Sequence, residues 1–284
     1  MINVLVTGSN GQLGRCLRDI ANTNEKIKWR FKSSKELDIT NKNTVNSLFG
    51  NTKFDYLVNC AAYTAVDKAE KEKEKAFLVN AEAVKYLAQS CKKNDITFIH
   101  ISTDFVFDGN TKTPYKENDL PNPINVYGAS KLKGESYICN ILEKYFIIRT
   151  SWLYSEHGNN FFKTMLELSM EKEELNIVYD QWGSPTYAKD LAIIILKIII
   201  SNCKAYGIYH YSNEGVTNWN EFAKTIFDLS NKKVKAIPIK TAYYPTPAKR
   251  PNYSVLDTTK IKKTFSIEIP AWIDSLKLAL INLY

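Results

Sequence analysis

The chain lacks the cysteine and histidine spacings that are typical of disulfide frameworks and metal centres, and it lacks an apolar run long enough to span a membrane. Its five cysteines are odd in number, widely spaced and form no CxxC pair, so neither a disulfide framework nor a zinc site is predicted, and buried reduced thiols are expected. The three histidines have no ligand spacing, so no metal is expected. The most apolar run, residues 191–200, contains Lys197 and is far shorter than the roughly 20 residues of a membrane span. It indicates a buried helix.

The clearest feature of the composition is an excess of basic over acidic residues. The 284 residues include 38 Lys and Arg against 30 Asp and Glu, a formal net charge of +8. The basic residues are interleaved with acids, as in residues 67–75, which is typical of a solvated helix face and not of a basic stripe. The charge therefore favours a small anionic ligand over nucleic acid. Residues 1–6 lead directly into Gly8 without a basic and apolar leader, which predicts a cytoplasmic protein.

Short apolar runs alternate with amphipathic segments through the first half of the chain. The runs have the β-branched character of strands buried on both faces, and the segments between them have helical periodicity. This alternation predicts right-handed crossovers and a parallel sheet, hence a doubly wound α/β fold. The predicted strands are 2–6, 27–31, 56–58, 96–101 and 146–148, and the predicted helices are 12–21, 44–49, 65–90 and 127–143.

After residue 150 the alternation becomes less regular. The predicted elements are a helix at 160–170, strands at 175–178 and 207–211 on either side of the apolar helix, a proline-rich loop at 244–251 and a terminal helix at 271–283. No repeat or low-complexity linker separates the halves. We therefore expect a first domain at 1–150 and a small interwoven lobe at 151–284, with about 175–211 returning to the sheet of the first domain.

The first predicted strand leads through a glycine-rich loop into a helix. The segment reads MINVLVTGSNGQLG, with Gly8, Gly11 and Gly14 in a GxxGxxG spacing. Glycines at this point let the backbone turn sharply and approach a pyrophosphate, whose charge is stabilised by free N–H groups and the positive end of the helix. Because the loop lies between a strand and a helix, it predicts dinucleotide binding rather than an ordinary turn.

The end of the second predicted strand indicates which dinucleotide is bound. An acidic residue there selects NAD, whereas a basic residue accepts the extra phosphate of NADP. Arg30 and Lys32 lie in this stretch, and no acid occurs before Glu36. NADPH is therefore favoured. The alternative is that both basic residues are solvated surface charges.

Tyr127 and Lys131 form the single YxxxK motif of the chain. One such match is expected by chance in a chain with 17 tyrosines, so the motif alone proves little. On a helix, however, the spacing places both side chains on one face. An ammonium beside a phenol stabilises the phenolate, so the pair suits general acid/base chemistry.

Polar residues follow the fourth predicted strand in the segment STDFVFDG, residues 102–109. In a parallel sheet, ligands bind beyond the carboxyl ends of the strands. Thr103 is therefore predicted to hydrogen-bond a substrate carbonyl, and Asp104 to hold a sugar hydroxyl. The alternative is that residues 102–104 only cap a turn.

In chain order, these motifs and three later strings resemble one family. The strings are RTSWLY at 149–154, DQWGSPT at 180–186 and KRPNYSVLD at 249–257. From residue 2 to about 257 the sequence resembles the dTDP-4-dehydrorhamnose reductases, which are extended short-chain dehydrogenases/reductases. The resemblance implies a Rossmann domain that binds NADPH or NADH, and a substrate lobe. It also implies reduction of the C4 ketone of dTDP-4-dehydro-6-deoxy-L-mannose to dTDP-L-rhamnose for surface polysaccharide.

The resemblance assigns roles to individual residues. It makes Tyr127 the proton donor, Lys131 the residue that holds the nicotinamide ribose and lowers the pKa of the tyrosine, and Thr103 the third member of the catalytic set. It implies cofactor contacts for Asn10, Gly11, Gln12 and Leu13 at the pyrophosphate, Asp38 and Ile39 at the adenine, and Ala61, Ala62, Tyr63 and Thr64 after the third strand. Substrate contacts are implied for Asp104 and Trp152, and Asn160, Arg250 and the 183–186 loop are candidates for the diphosphate. A tryptophan is also ordinary in a core.

Two departures from related proteins narrow the expectations. Some family members form a metal-linked dimer through a glutamate after the glycine loop, where this chain has Arg15; a monomer or a homodimer without that metal is expected. Related dehydratases carry a glutamate where this chain has Phe105, so dehydration is not expected.

Two alternatives stay open at this point. One is a sugar-nucleotide epimerase that retains NAD, against which the small second lobe and the Lys32 region argue. The other is a non-catalytic subunit like the β subunit of methionine adenosyltransferase, against which the intact Thr103, Tyr127 and Lys131 set argues. The residues leave the configuration formed at C4 open.

Overall fold

The computed structural model describes residues 1–283, apart from the side chain of residue 51. The strands are β1 (Ile2–Thr7), β2 (Ile27–Lys32), β3 (Tyr56–Asn59), β4 (Thr97–Thr103), β5 (Tyr145–Thr150), β6 (Leu153–Tyr154), β7 (Glu174–Val178), β8 (Trp182–Gly183), β9 (Thr186–Tyr187), β10 (Gly207–His210), β11 (Thr217–Asn218) and β12 (Lys235–Ile239). The helices are α1 (Gln12–Asp19), α2 (Lys42–Asn51), α3 (Val66–Ala69), α4 (Lys73–Phe77), α5 (Ala83–Lys93), α6 (Val126–Ile141), α7 (Phe161–Leu168), α8 (Ala188–Ser201), α9 (Trp219–Leu229), α10 (Thr259–Phe265) and α11 (Trp272–Leu283). A π-helical turn, Leu78–Glu82, joins α4 to α5.

Six strands form one parallel sheet in the order β10-β5-β4-β3-β1-β2. The strand order reverses between β1 and β3, and a crevice at the carboxyl ends of such strands is where ligands bind in open α/β sheets. The prediction of a doubly wound α/β fold is confirmed.

Helices cover both faces of this sheet because successive strand residues point in opposite directions and both sets are apolar. Val4 and Val6 of β1 belong to a cluster with the buried faces of α1 and α8. Leu5, between them, belongs to the cluster formed with α2 and α5. This two-sided burial fixes the strand register, and therefore the positions of the loops at the carboxyl edge.

The second lobe is built around a separate core. Strands β7 and β12 form a parallel pair, against which α7, α9 and α11 contribute a cluster rich in aromatic residues. We expected 175–211 to return to the large sheet. Helix α8 packs against the large sheet, and strand β10 is part of it. Strand β7, however, pairs with β12 and not with the large sheet. The division of the chain near residue 150 stays a prediction.

The segment at 65–90, expected as one helix, is interrupted. Helix α3 ends at Ala69, α4 begins at Lys73, and the π turn follows Phe77. At the first break, Oε1 of Glu70 accepts the N–H of Val126 at 2.8 Å, which ties the break to the start of α6. Within residues 1–283, no helix is both long enough and apolar enough to cross a membrane.

Candidate active site

A cavity of about 690 Å³ opens at the carboxyl ends of β1, β3, β4 and β5. It brings together residues predicted from separate motifs: Gly11, Gln12, Leu13, Ala62, Thr64, Thr103, Asp104, Tyr127, Lys131, Trp152 and Asn160. The remaining predicted residues lie outside its lining: Gly8, Asn10, Gly14, Arg30, Lys32, Asp38, Ile39, Ala61, Tyr63 and Arg250. Its walls therefore come from both lobes.

The glycine loop forms one end of the cavity. Gly8 has φ +65°, and a Cβ there would lie 2.5 Å from the amide nitrogen of Ala61. A Cβ at Gly14 would lie 2.6 Å from the carbonyl oxygen of Gly8, so α1 packs directly on the loop. Helix α1 follows Gly11 with no side-chain cap and no acid in its first turn. Its free N–H groups and positive end fit a pyrophosphate.

The turn after β3, residues 61–64, is held by a residue that the sequence analysis did not identify. Oδ1 of Asn80 accepts the N–H of Tyr63 at 2.8 Å, and its Nδ2 donates to the Tyr63 carbonyl at 3.0 Å and to Oγ of Ser130 at 3.0 Å. Asn80 lies in the π turn, and such turns are frequent at functional sites. It therefore fixes the turn that lines the cavity to the helix that carries Tyr127.

Tyr127 stands in the first turn of α6, which begins at a side-chain cap from Asn125. Burial raises the pKa of Tyr127 to about 12, a hydrogen bond with Thr103 lowers it, and the charge of Asp104 raises it. The ring packs edge-on against Phe105. The phenol is therefore protonated at neutral pH, which suits a proton donor.

The amine of Lys131 lies against strand β4. Its Nζ donates to the carbonyl of Ile101 at 2.6 Å and lies 3.3 Å from Nε2 of His100. Burial lowers the pKa of Lys131 to about 8. Burial is the largest cause of the raised pKa of Tyr127, and the role of Lys131 in lowering that pKa stays a prediction.

A buried ion pair lies beside β4, the strand that Lys131 contacts. Arg149 on β5 binds Glu135 on α6 through Nη2 to Oε2 at 2.7 Å and Nε to Oε1 at 3.0 Å. The hydroxyl of Ser102 donates to Oε1 of the same carboxylate. Glu135 follows Lys131 by four residues on one helix face, a spacing from which it could have been found.

Asp104 is buried, and its Oδ2 has no hydrogen-bond partner among the described residues, whereas Oδ1 accepts the hydroxyl of Thr103 at 3.0 Å. Burial raises the pKa of Asp104 to about 6. A buried carboxylate oxygen without a donor is costly, and the residue lines the cavity. The open acceptor therefore fits a hydroxyl of a bound ligand.

Stacked indoles form the far wall of the cavity. Trp152 has φ +46°, unusual for a bulky residue, and its ring stacks on Trp219 with 3.6 Å between centroids. A Cβ at Gly183 would lie 2.6 Å from the Trp152 ring. Phe161 packs on the other side of Trp219, at 4.6 Å. Trp219 lies 67 residues from its partner, so the sequence carried no signal for the pair.

Two basic residues predicted at the site, Arg30 and Arg250, form hydrogen bonds with other side chains of the protein. Nη1 of Arg30 donates to the Thr52 hydroxyl at 3.0 Å, and the guanidinium lies over Phe54, so it reaches the amino end of β3 and not the ligand edge. The prediction that Arg30 binds the NADP phosphate is untested and stays a prediction.

Arg250 is engaged by Asp67, with Nη2 to Oδ2 at 2.7 Å, and lines a separate cavity of about 390 Å³. Its role at the substrate diphosphate stays a prediction.

Asn160 lines the main cavity but uses its side chain within the protein. Its Nδ2 donates to Oε1 of Gln12 at 2.8 Å and to the Ser155 carbonyl at 2.8 Å, while Oδ1 caps α7 by accepting the N–H of Lys163. It joins the glycine-loop helix to the second lobe. Its role at a diphosphate stays a prediction.

Within residues 1–283, one group of side chains has the composition of a metal site. Ligand atoms of Cys16, Asp19 and His157 lie within 4.8 Å of one another. Nε2 of His157 lies 2.7 Å from Oδ2 of Asp19, and burial raises the pKa of the Cys16 thiol. The expectation that the protein binds no metal stays a prediction.

Known proteins match the chain over nearly its whole length. The family model described as RmlD substrate binding domain matches residues 2–284. A dTDP-4-dehydrorhamnose reductase of Aggregatibacter actinomycetemcomitans is 42% identical, over 98% of each chain. A crystal structure of a dTDP-4-dehydrorhamnose reductase from Clostridium acetobutylicum, 41% identical, superposes with a TM-score of 0.96 over 99% of each chain.

A second solved structure is similar to the same degree. It is a dTDP-4-dehydrorhamnose reductase from Bacillus anthracis in complex with NADP, 41% identical, with a TM-score of 0.96 over 99% of this chain and 100% of that one. The resemblance read from the motifs is confirmed. The chain belongs to the dTDP-4-dehydrorhamnose reductase family, whose fold it shares.

Proposed function

We propose that the protein uses NADPH to reduce the C4 ketone of dTDP-4-dehydro-6-deoxy-L-mannose, giving dTDP-L-rhamnose. The observation that carries the proposal is the convergence of Thr103, Tyr127 and Lys131 on one cavity with the glycine loop. The names of the relatives support the substrate, and the Bacillus anthracis complex supports NADP as the cofactor.

The cofactor fits the loop that the first strand presents. The first-turn N–H groups of α1 would bind the pyrophosphate, and the 61–64 turn would line the cofactor beside it. Besides Arg30, Lys32 and Arg18 are basic candidates for the 2′-phosphate. Both lie near Glu36 at the end of β2, and Arg18 donates to the Ser9 hydroxyl at 3.4 Å. When bound, NADPH supplies the hydride.

The residues of this chain would handle the proton and the geometry. Tyr127, protonated at neutral pH, donates its proton to the substrate O4 as charge develops there, and the hydroxyl of Thr103 polarises the same carbonyl. General acid assistance of this kind contributes about 10²–10⁴-fold in rate. The open oxygen of Asp104 accepts a sugar hydroxyl, and the indole of Trp152 forms the wall beside the sugar.

The proposal is tested by following NADPH oxidation with dTDP-4-dehydro-6-deoxy-L-mannose and identifying the product sugar by NMR. We expect substrate-dependent oxidation and a rhamnose product. Tyr127→Phe should reduce the rate by at least 10²-fold with NADPH affinity nearly unchanged.

Two outcomes would overturn the proposal. Full activity of Tyr127→Phe would remove the tyrosine from the mechanism. A purified protein that carries stoichiometric NAD and interconverts sugar epimers without net oxidation of NADPH would favour the epimerase alternative.

A further inference from the structure

A row of buried polar side chains crosses the sheet beneath the cavity. Thr7, Asn59 and His100 are register neighbours on β1, β3 and β4. The hydroxyl of Thr7 donates to Oδ1 of Asn59 at 2.6 Å, Nδ2 of Asn59 lies 3.0 Å from Nδ1 of His100, and Nε2 of His100 lies 3.3 Å from Nζ of Lys131. All four side chains are buried. The row therefore ends at an amine that lines the active site.

The donors and acceptors of this row have one consistent arrangement. The backbone N–H of Ala61 can only donate, and it points at Oδ1 of Asn59 at 3.3 Å, which fixes that atom as the oxygen. Nδ2 of Asn59 therefore presents an N–H to Nδ1 of His100, which must accept with a lone pair. Burial is the largest cause that holds the pKa of His100 well below its usual value, and the ring is therefore neutral whatever the charge of Lys131. A neutral ring with a lone pair on Nδ1 carries its proton on Nε2.

This tautomer points an N–H at Lys131. An ammonium has three donors and no lone pair, so two donors would face each other across 3.3 Å. A neutral amine has a lone pair that can accept the N–H of His100 while still donating to the Ile101 carbonyl at 2.6 Å. The contact is satisfied only in the neutral form of the lysine.

Among the titratable groups around Lys131, the charge of Glu135 raises the pKa of the amine, but less than burial lowers it. Both carboxylate oxygens of Glu135 are engaged by Arg149, and Ser102 also donates to one of them. The thiol of Cys60 has a pKa raised by burial to about 12, so it is uncharged. Tyr127, one helical turn away, is likewise protonated. The side chain that directly faces the amine, His100, presents a hydrogen-bond donor.

We propose that His100 is a positioning residue that sets the protonation state of Lys131, and that Asn59 sets the direction of the His100 N–H. The inference deepens the proposed function, on which its catalytic consequence rests. The row makes the charge on the amine beside the cofactor site dependent on pH near neutrality, in place of the permanent charge of an ordinary lysine.

The direct test uses NMR of the full-length protein with ¹⁵N-labelled histidine and lysine. The His100 signals are assigned by their loss in His100→Gln, and the Lys131 amine by its loss in Lys131→Met. We expect the wild-type ring to carry its proton on Nε2 and the amine to titrate near pH 8. In His100→Gln an amide oxygen can accept from the ammonium, which should raise the Lys131 midpoint by about one pH unit, tenfold in proton affinity.

A second variant reverses the direction of the hydrogen bonds in the row and keeps the imidazole ring of His100. In Asn59→Asp the carboxylate cannot donate, so His100 should carry its proton on Nδ1 and turn a lone pair to Lys131. Because the added negative charge by itself raises the Lys131 midpoint, the tautomer of the His100 ring is the readout of this variant. The matched control is His210→Gln, a second buried histidine that does not contact Lys131; it should leave the midpoint unchanged.

Three results would overturn the inference: a wild-type ring protonated on Nδ1, an Asn59→Asp ring that keeps its proton on Nε2, or an unchanged Lys131 midpoint in folded His100→Gln. The alkaline limb of the pH profile of NADPH oxidation should move with the midpoint. Because tautomer and midpoint are read without substrate, failure of ketone reduction alone contradicts the proposed function and leaves the row intact.

Discussion

Two buried histidines, on neighbouring regions of one sheet, face two buried cations in opposite ways. His210 directs Nδ1 at the carbonyl of Tyr115 at 3.0 Å, so its proton lies there and its Nε2 lone pair faces Nη1 of Arg149 at 3.4 Å. His100 directs a donor at Lys131. The guanidinium of Arg149 is also bound by a carboxylate and lies 5.1 Å from the centroid of Phe107.

The difference shows how one buried environment can serve two purposes. A guanidinium has donors only, so the surroundings of Arg149 must supply a counterion and lone pairs. Lysine shifts its pKa readily when buried, and the surroundings of Lys131 supply one carbonyl and one N–H. The arginine pair thus supports the strand that carries Thr103, while the lysine pair gives the site a group that can titrate.

The largest expected effect comes from removing the counterion of the arginine. Glu135→Gln leaves a buried guanidinium without a carboxylate, which should lower the free energy of unfolding by about 3–5 kcal/mol. Urea denaturation at pH 7 measures this. Lys277→Gln, which removes an exposed pair with Asp274, is the control and should change stability by about 0.5 kcal/mol or less. Equal effects of the two variants would contradict the comparison.

The lysine should make stability depend on pH in the alkaline range, between its folded and unfolded pKa values. The pKa of Lys131 is lowered from 10.5 to about 8, so between these values the unfolded chain holds a proton that the folded chain has released. Wild-type stability should therefore rise with pH relative to Lys131→Met, by about 3 kcal/mol in total. Below pH 8 both states are protonated and the burial cost is fully present.

Denaturation curves of both proteins at intervals from pH 7 to 10.5 measure this difference, and the alkaline titration of tyrosines cancels between them. Parallel stability profiles would show that the folded lysine keeps an ordinary pKa.

The smallest effect on the free energy of unfolding is expected at Ser102, which is on the same strand as His100 and donates to the carboxylate that binds Arg149. Ser102→Ala removes one donor to Glu135 but leaves both bonds from Arg149, so the loss should be about 0.5–1.5 kcal/mol. The Lys131 midpoint should not move, since Ser102 makes no hydrogen bond to the amine. A shift of that midpoint would mean that the ion pair and the lysine are a single unit.

Local patterns predicted the parts of the site that neighbouring residues build. The glycine loop and the YxxxK helix follow from short-range sequence, and Thr103 follows from its place at a strand end. The direction of Arg30 did not, because a strand position does not specify where a long side chain ends. Arg250 is held by Asp67, 183 residues earlier, and the second buried histidine faces Arg149 only because β10 joins β5. Contacts of this kind depend on tertiary packing, which one sequence does not express.

The stacked indoles of the far wall have an optical consequence. Two of the chain's five tryptophans, Trp152 and Trp219, lie face to face at a centroid distance of 3.6 Å and line the main cavity. Chromophores this close couple their electronic transitions, so the pair should give an exciton signature in circular dichroism that the other three tryptophans do not share. A sugar nucleotide entering the cavity would perturb that signature without any label, and the protein carries its own spectroscopic reporter of occupancy.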